Sequence, residues 1–213
     1  MTRAGQFCML PRYASESVLG EKTVSKIVRI DTEFGSIRLE LDDQAAPITV
    51  TNFLHYVEEG LYDGGFFHRT VRMDNQSNEN LRKGSQHDDD HNLPNDQVKI
   101  EVIQAGVNPD RASELGDPIP LERTSETGLR HLDGTISMAR FTPDSAVSDF
   151  FICINDQPAL DFGGMRNPDG QGFAAFGRVI EGMDIVRRIH EQPADGQSLD
   201  PPITISRIVI EDN

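Results

Sequence analysis

Cysteine, basic residues and long apolar runs are what this chain has least of. There are two cysteines in 213 residues, Cys8 near the start and Cys153 inside an apolar run. Two thiols so placed make no disulfide framework. Cys153 reads as a small buried hydrophobe, and no electropositive sequence neighbour marks it as a nucleophile. No apolar run approaches the length of a membrane span. Phe7-Cys8-Met9-Leu10, between Gln6 and Pro11, is too short and too polar for the core of a signal peptide. The expected compartment is the reducing cytoplasm, with the periplasm as the alternative if a cleaved signal preceded this sequence. Lys and Arg number 20 against 35 Asp and Glu, for a net charge of -15 and a pI near 4.7. That excludes nucleic acid and anionic membrane as main partners, because phosphate binding needs clustered cations. Internal repeats and βαβ alternation are also missing, which excludes a Rossmann-type sheet. No nucleophile-and-base constellation stands out.

What is present suits one domain with one sizeable core: 37% hydrophobic and 26% charged residues. Residues 1–22 have no sustained periodicity and are expected to be a flexible arm, with a single domain over 23–213. From Val24, Val28 and Ile30 alternate with charged residues. After Glu33-Phe34-Gly35, Ile37, Leu39 and Leu41 do the same, which predicts a hairpin. Ala46-Pro47 opens a helix whose Val50, Phe53, Leu54 and Val57 share a face, and Gly60 stops it. A strand follows at Phe66–Arg69, then a polar insertion over about 73–97. Further strands are predicted over 98–104, 135–139, 150–154, 173–179 and 202–210. A phase change between Ile205 and Ile208 suggests a bulge in the last. The stretch 122–131 reads as irregular. A second helix covers 182–190, with Arg187, Arg188 and His190 in the last turn, where cations suit the helix dipole. Many short strands and two helices point to a closed β-barrel with helices at its ends.

Two stretches organise the chain: Phe66-Phe67-His68-Arg69 and Ser148-Asp149-Phe150-Phe151-Ile152-Cys153. Each is too apolar for a surface loop. Each also carries a polar residue that a buried strand does not favour. An arginine keeps its charge and is buried only where its donors find acceptors. Arg69 is therefore either half of a structural ion pair or a fork held rigidly beside an aromatic wall.

The order of five segments decides between them. Phe67-His68-Arg69, Ile103-Gln104-Ala105-Gly106, Gly134–Ala139, Asp149–Ile152 and Ala175–Val179 with Glu181-Gly182-Met183 together resemble a cyclophilin, of a bacterial-like type with a long insertion. The resemblance runs from about Ile27 to Ile210. It implies a mainly β fold, a closed eight-stranded antiparallel barrel capped by two α-helices. It also implies peptidyl-prolyl cis-trans isomerase activity, with the substrate proline in an apolar pocket on the outer face. By matching position, Arg69 is the essential arginine, Gln104 supports it and contacts the peptide, and Phe151 is the floor under the proline ring. Ala139 and Leu160 line the pocket, and His68, Val102 and Phe173 stand around its rim. Arg140 replaces an asparagine whose backbone binds the peptide. No cofactor or metal is implied. The expected partners are proline-containing peptides and unfolded chains, and the expected state is a monomer.

Several positions depart from the family. Two bulky apolar residues before the Ile-Gln pair are Glu101 and Val102. A tryptophan before the wall leucine is Ala159, in a chain with no tryptophan at all. A rim histidine is Phe173, and a glutamine before the Phe-Phe pair is Asp149. The loop 162–172 is longer than usual. The altered rim keeps open a second function, a module that binds proline-containing segments without useful turnover. A third is a scaffold whose insertion docks a partner.

Other signals are weaker. His87-Asp88-Asp89-Asp90-His91 reads as a solvated acidic turn, with a weak divalent-metal site as the alternative. His55 is expected to partner a backbone group. Asn75-Gln76-Ser77 matches a glycosylation sequon by pattern only.

Overall fold

The computed structural model describes residues 26–77 and 95–211. The expected arm, the His87–His91 cluster and most of the polar insertion lie outside the described residues. Strands β1 (Lys26–Thr32) and β2 (Gly35–Leu41) form the predicted hairpin, paired from Lys26–Leu41 to Thr32–Gly35. Gly35 closes it at a φ of 131°, a conformation that residues with a Cβ rarely adopt. Helix α1 (Pro47–Glu58) buries Val50, Phe53 and Val57 as its period requires, together with Thr49 and Tyr56. No side chain of its own caps it. Instead the Glu122 carboxylate accepts from the N–H groups of Ile48 and Thr49, at 3.1 and 2.8 Å.

The remaining elements are β3 (Phe66–Val71), β4 (Val102–Gly106), α2 (Thr124–Thr127), β5 (Thr135–Met138), β6 (Phe150–Cys153), β7 (Ala174–Glu181), α3 (Met183–His190), β8 (Ala194–Asp195) and β9 (Ser198–Glu211). The strands run β1-β2-β7-β5-β6-β4-β3-β9, every pair antiparallel, and β9 pairs back onto β1 to close a ring of eight. Two-residue β8 adds only to the start of β9. The interior is apolar. Phe53 of α1 meets Tyr62, Phe150 and Phe176 at ring-centre distances of 5.4, 5.5 and 5.3 Å. Val186 and Ile189 of α3 join the same core.

The structure moves several expected boundaries. The strand expected over 98–104 is β4, at 102–106. Residues before it bond elsewhere: the Gln76 side chain takes both the N–H and the C=O of Ile100, and Arg166 donates to the C=O of Val98. The strand expected over 173–179 runs from Ala174 to Glu181, and the last begins at Ser198, in a hairpin with β8 that was not expected. The stretch 122–131 contains a short third helix, α2, ended by Gly128 at a φ of 75°. The phase change in β9 is real. Thr32 faces Ile205 while Asp31 faces Arg207, so Ser206 is the extra residue. His55 is not a buried partner of the backbone; it is exposed, its ring against Tyr56. Among the described residues no helix is long and apolar enough to cross a membrane.

Candidate active site

A bulge in β3 builds the site. Phe67 faces Ala105 across β4 and Arg69 faces Gln104, so His68 is the unpaired extra residue. Phe67 belongs to the barrel core. Strict alternation would send Arg69 inward after it. The bulge instead turns Arg69 to the outer face, beside Gln104.

There the guanidinium is held on two sides. Nη1 donates to Gln104 Oε1 at 2.9 Å, while Nε and Nη2 donate to Gln197 Oε1 at 2.8 and 2.5 Å. Gln197 is fixed in turn. Its Nε2 donates to the C=O of Asn75 at 3.1 Å, and its C=O accepts from the N–H of Thr70 at 2.9 Å. Asn75 donates to the carbonyls of Thr70 and Gly196. Among the described residues no carboxylate pairs with Arg69, and both of its acceptors are neutral amides. Burial, and then the nearby charge of Arg166, push Arg69 down to about 10, so it remains a cation at neutral pH.

Beside it lies a second apolar cluster, separate from the barrel core: Val71, Ile100, Val102, Phe151, Cys153, Leu160 and Phe173, with Ala139 and Ala159 against it. β4 and β6 are thus covered on both faces. That is why Phe150-Phe151-Ile152-Cys153 is apolar at every position. Phe151 and Phe173 meet edge to face at 5.4 Å. Behind Phe151 stacks the ring of buried His131, whose Nδ1 lies 2.8 Å from Asp161 and whose Nε2 lies 2.9 Å from Ser137 Oγ. A serine, a histidine and an aspartate therefore do meet in space, as the sequence did not reveal. Ser137 is fully buried, so the trio props Phe151 and cannot reach a substrate.

Each residue expected at the site is accounted for. Arg69, Gln104 and Phe151 converge, Phe151 facing Gln104 across the β4–β6 pair. Val102, Ala139, Leu160 and Phe173 gather in or against the cluster. His68 is half-exposed at the edge, its Nε2 3.6 Å from Asp149. Arg140 has a job beyond its backbone. Its side chain is buried and grips Asp169 through two bonds of 2.8 and 2.9 Å, bonds the C=O of Gly172, and lies 4.9 Å over the Phe173 ring. It ties the long 162–172 loop to the pocket wall.

The sequence reading missed Gln197, Asn75 and Arg166. Asp195-Gly196 was an available signal, since that dipeptide favours a tight hairpin that returns Gln197 toward β3. Nothing comparable marked Arg166, which donates to Gln76 and to the carbonyls of Asn95 and Val98. Asn75 has its amide bonded inside the fold, so the sequon pattern carries no meaning here. Among the described residues no group of three or more His, Cys, Asp or Glu could hold a metal. A hollow of about 390 Å³ is lined by Thr124, Arg130, Asp161 and Phe162 among others, but by none of Arg69, Gln104 and Phe151.

The family model described as "Cyclophilin type peptidyl-prolyl cis-trans isomerase/CLD" matches residues 27–210. The chain is 35% identical over 170 residues to the peptidyl-prolyl cis-trans isomerase A of Dickeya dadantii, covering 79% of this chain and 73% of that one. It is 33% identical over 185 residues to the peptidyl-prolyl cis-trans isomerase cyp18 of Streptomyces antibioticus, covering 86% and 95%. A cyclophilin-type isomerase of Cryptosporidium parvum, crystallised in the presence of the dipeptide Ala-Pro, superposes with a TM-score of 0.63 at 23% identity. That superposition covers 88% of this chain and 99% of the other.

Proposed function

The chain belongs to the cyclophilin-type peptidyl-prolyl cis-trans isomerase family and has that activity, and on this premise we propose which of its residues carry the reaction and on what substrates. The substrates are proline-containing peptides and unfolded chains. The observation that carries the assignment is Arg69, a cation held by two neutral amide oxygens beside an apolar cluster. Cys153, a free buried thiol, fits a reducing compartment.

Rotation about an X-Pro bond faces a barrier of roughly 18–20 kcal/mol and takes about 10–100 s unaided. No covalent bond breaks, so the enzyme must bind the twisted amide better than either planar form. Twisting removes amide resonance and leaves a lone pair on the prolyl nitrogen. A donor aimed at that pair binds the transition state and not the planar ground state. Arg69 is that donor. The twisted amide is also less dipolar, which suits the wall formed by Phe151 and Leu160. Gln104 and Gln197 hold the fork in place beforehand, so no reorientation is needed during rotation. Losing a positioned charge-assisted bond costs roughly 1.5–3 kcal/mol, or about one to two decades in rate.

The test is cis-trans exchange in an Ala-Pro peptide followed by NMR, wild type beside Arg69→Ala. Faster exchange with wild type, most of it lost in the variant, supports both the substrate class and the role of Arg69. Binding without acceleration would make the protein a proline-segment binding module instead.

A further inference from the structure

Asp149 stands where it can read the charge of the substrate. Its C=O accepts from the N–H of Ala139 at 2.8 Å, which extends the β5–β6 ladder one residue past β6. It is two residues before Phe151, and alternate strand residues share a face. The bond from Gln104 Nε2 to Asp149 Oδ2, 3.1 Å, puts its carboxylate on the outer face with Gln104 and Phe151. Gly106 makes room for it: a Cβ there would lie 2.5 Å from Asp149 Oδ1.

Among the described residues the carboxylate is only partly satisfied. It takes one bond from Gln104 and has the His68 ring nitrogen at 3.6 Å, and 41% of its side chain remains exposed. Burial pushes its titration up, while His68 and Gln104 pull it back. Gln104 separates two opposite charges. Its Oε1 accepts from Arg69 and its Nε2 donates to Asp149. The positive end meets the reacting bond. The negative end lies about 7 Å from Phe151 along the strand, the span of two residues. Peptide Cα atoms are about 3.8 Å apart, so a substrate side chain one or two positions from the proline falls beside it.

We propose that Asp149 is a specificity-determining residue that selects substrates carrying lysine or arginine one or two positions from the proline. The inference rests on Arg69 and Phe151 being the reaction centre. The overall charge of -15 attracts basic peptides from a distance and salt screens that attraction. Asp149 adds a local preference that depends on position.

The test uses a short peptide series with Lys, Ala or Glu at each position flanking the proline, assayed at low and at 0.5 M salt. Wild type is expected to show a Lys-to-Glu ratio in kcat/KM of about fivefold or more at one position, persisting at high salt. Asp149→Asn is expected to bring that ratio below about twofold. Asp149→Ser supplies the same reading should the first variant fail to fold. The ratio is taken within each variant, so a change in overall rate cancels. A ratio near one at every position in wild type overturns the proposal. So does a ratio that survives both substitutions, which would assign the preference to net charge. Failure to accelerate even the Ala peptide would instead sink the assignment of the reaction centre.

Discussion

Arg69 is a cation that feels the charge of another cation, Arg166, and its acceptors among the described residues are amides. A carboxylate partner would hold the fork more tightly, but it would also neutralise the charge that the role proposed for Arg69 requires. Two amide oxygens orient the guanidinium without cancelling it. Gln197 takes two of the three bonds, so its loss should matter as much as that of Gln104. Gln197→Ala is expected to lower kcat/KM about tenfold to a hundredfold. Combined with Arg69→Ala it should cost almost nothing further, because it acts through that arginine. Steady-state rates of the two single variants and the double variant check this. Additive losses would reduce Gln197 to a structural residue.

The outer-face site depends on elements that disobey simple alternation. Much of the barrel was legible because one face of β1 and β2 is polar and the other apolar, and because α1 shows a clean helical stripe. That Arg69, Gln104 and Phe151 come together was also reachable, through the order of their segments. The bulge at His68 was not, since a single unpaired residue leaves no mark on a four-residue run. Nor was the early start of β9, because its opening Ser198-Leu199-Asp200-Pro201 looks like a loop. Arg140 was read for its backbone, since no sequence rule joins it to Asp169 across 29 residues. That clamp makes its own prediction. The Arg140 side chain is 1% exposed and its partner Asp169 25% exposed, so removing one side leaves a buried charge uncompensated. Asp169→Ala, which strands the buried Arg140 cation, is expected to cost about 3 kcal/mol in denaturant unfolding and to open the Gly163-Gly164 region to proteolysis.

At the scale of the whole molecule, acid should weaken the fold at the seam where β1, β2 and β9 meet. Burial tends to raise Asp31, but hydrogen bonds from Arg29, Arg207 and Ser36 outweigh it and hold its carboxyl at about 2. Arg38 and Arg29 likewise lower Glu211 on β9. A depressed carboxyl stabilises the fold above its unfolded value and loses that contribution as pH falls through the folded one. For Asp31 the window runs from about pH 4 down to 2, and the amount is about 2 kcal/mol. Denaturant titrations at pH 7, 4 and 2.5 should show stability nearly level between the first two and lower at the third. Asp31→Asn should flatten that fall. The same seam governs how the molecule is made. Among the described residues β1 is the first strand to leave the ribosome and β9 the last, yet β9 is one of the two partners that β1 needs to close the ring. Until residue 211 has cleared the exit tunnel, β1 and β3 each keep an unpaired edge, open to pairing with another nascent chain. Closure of the ring is therefore a late step, and the interval before it is the one in which these strand edges need shielding.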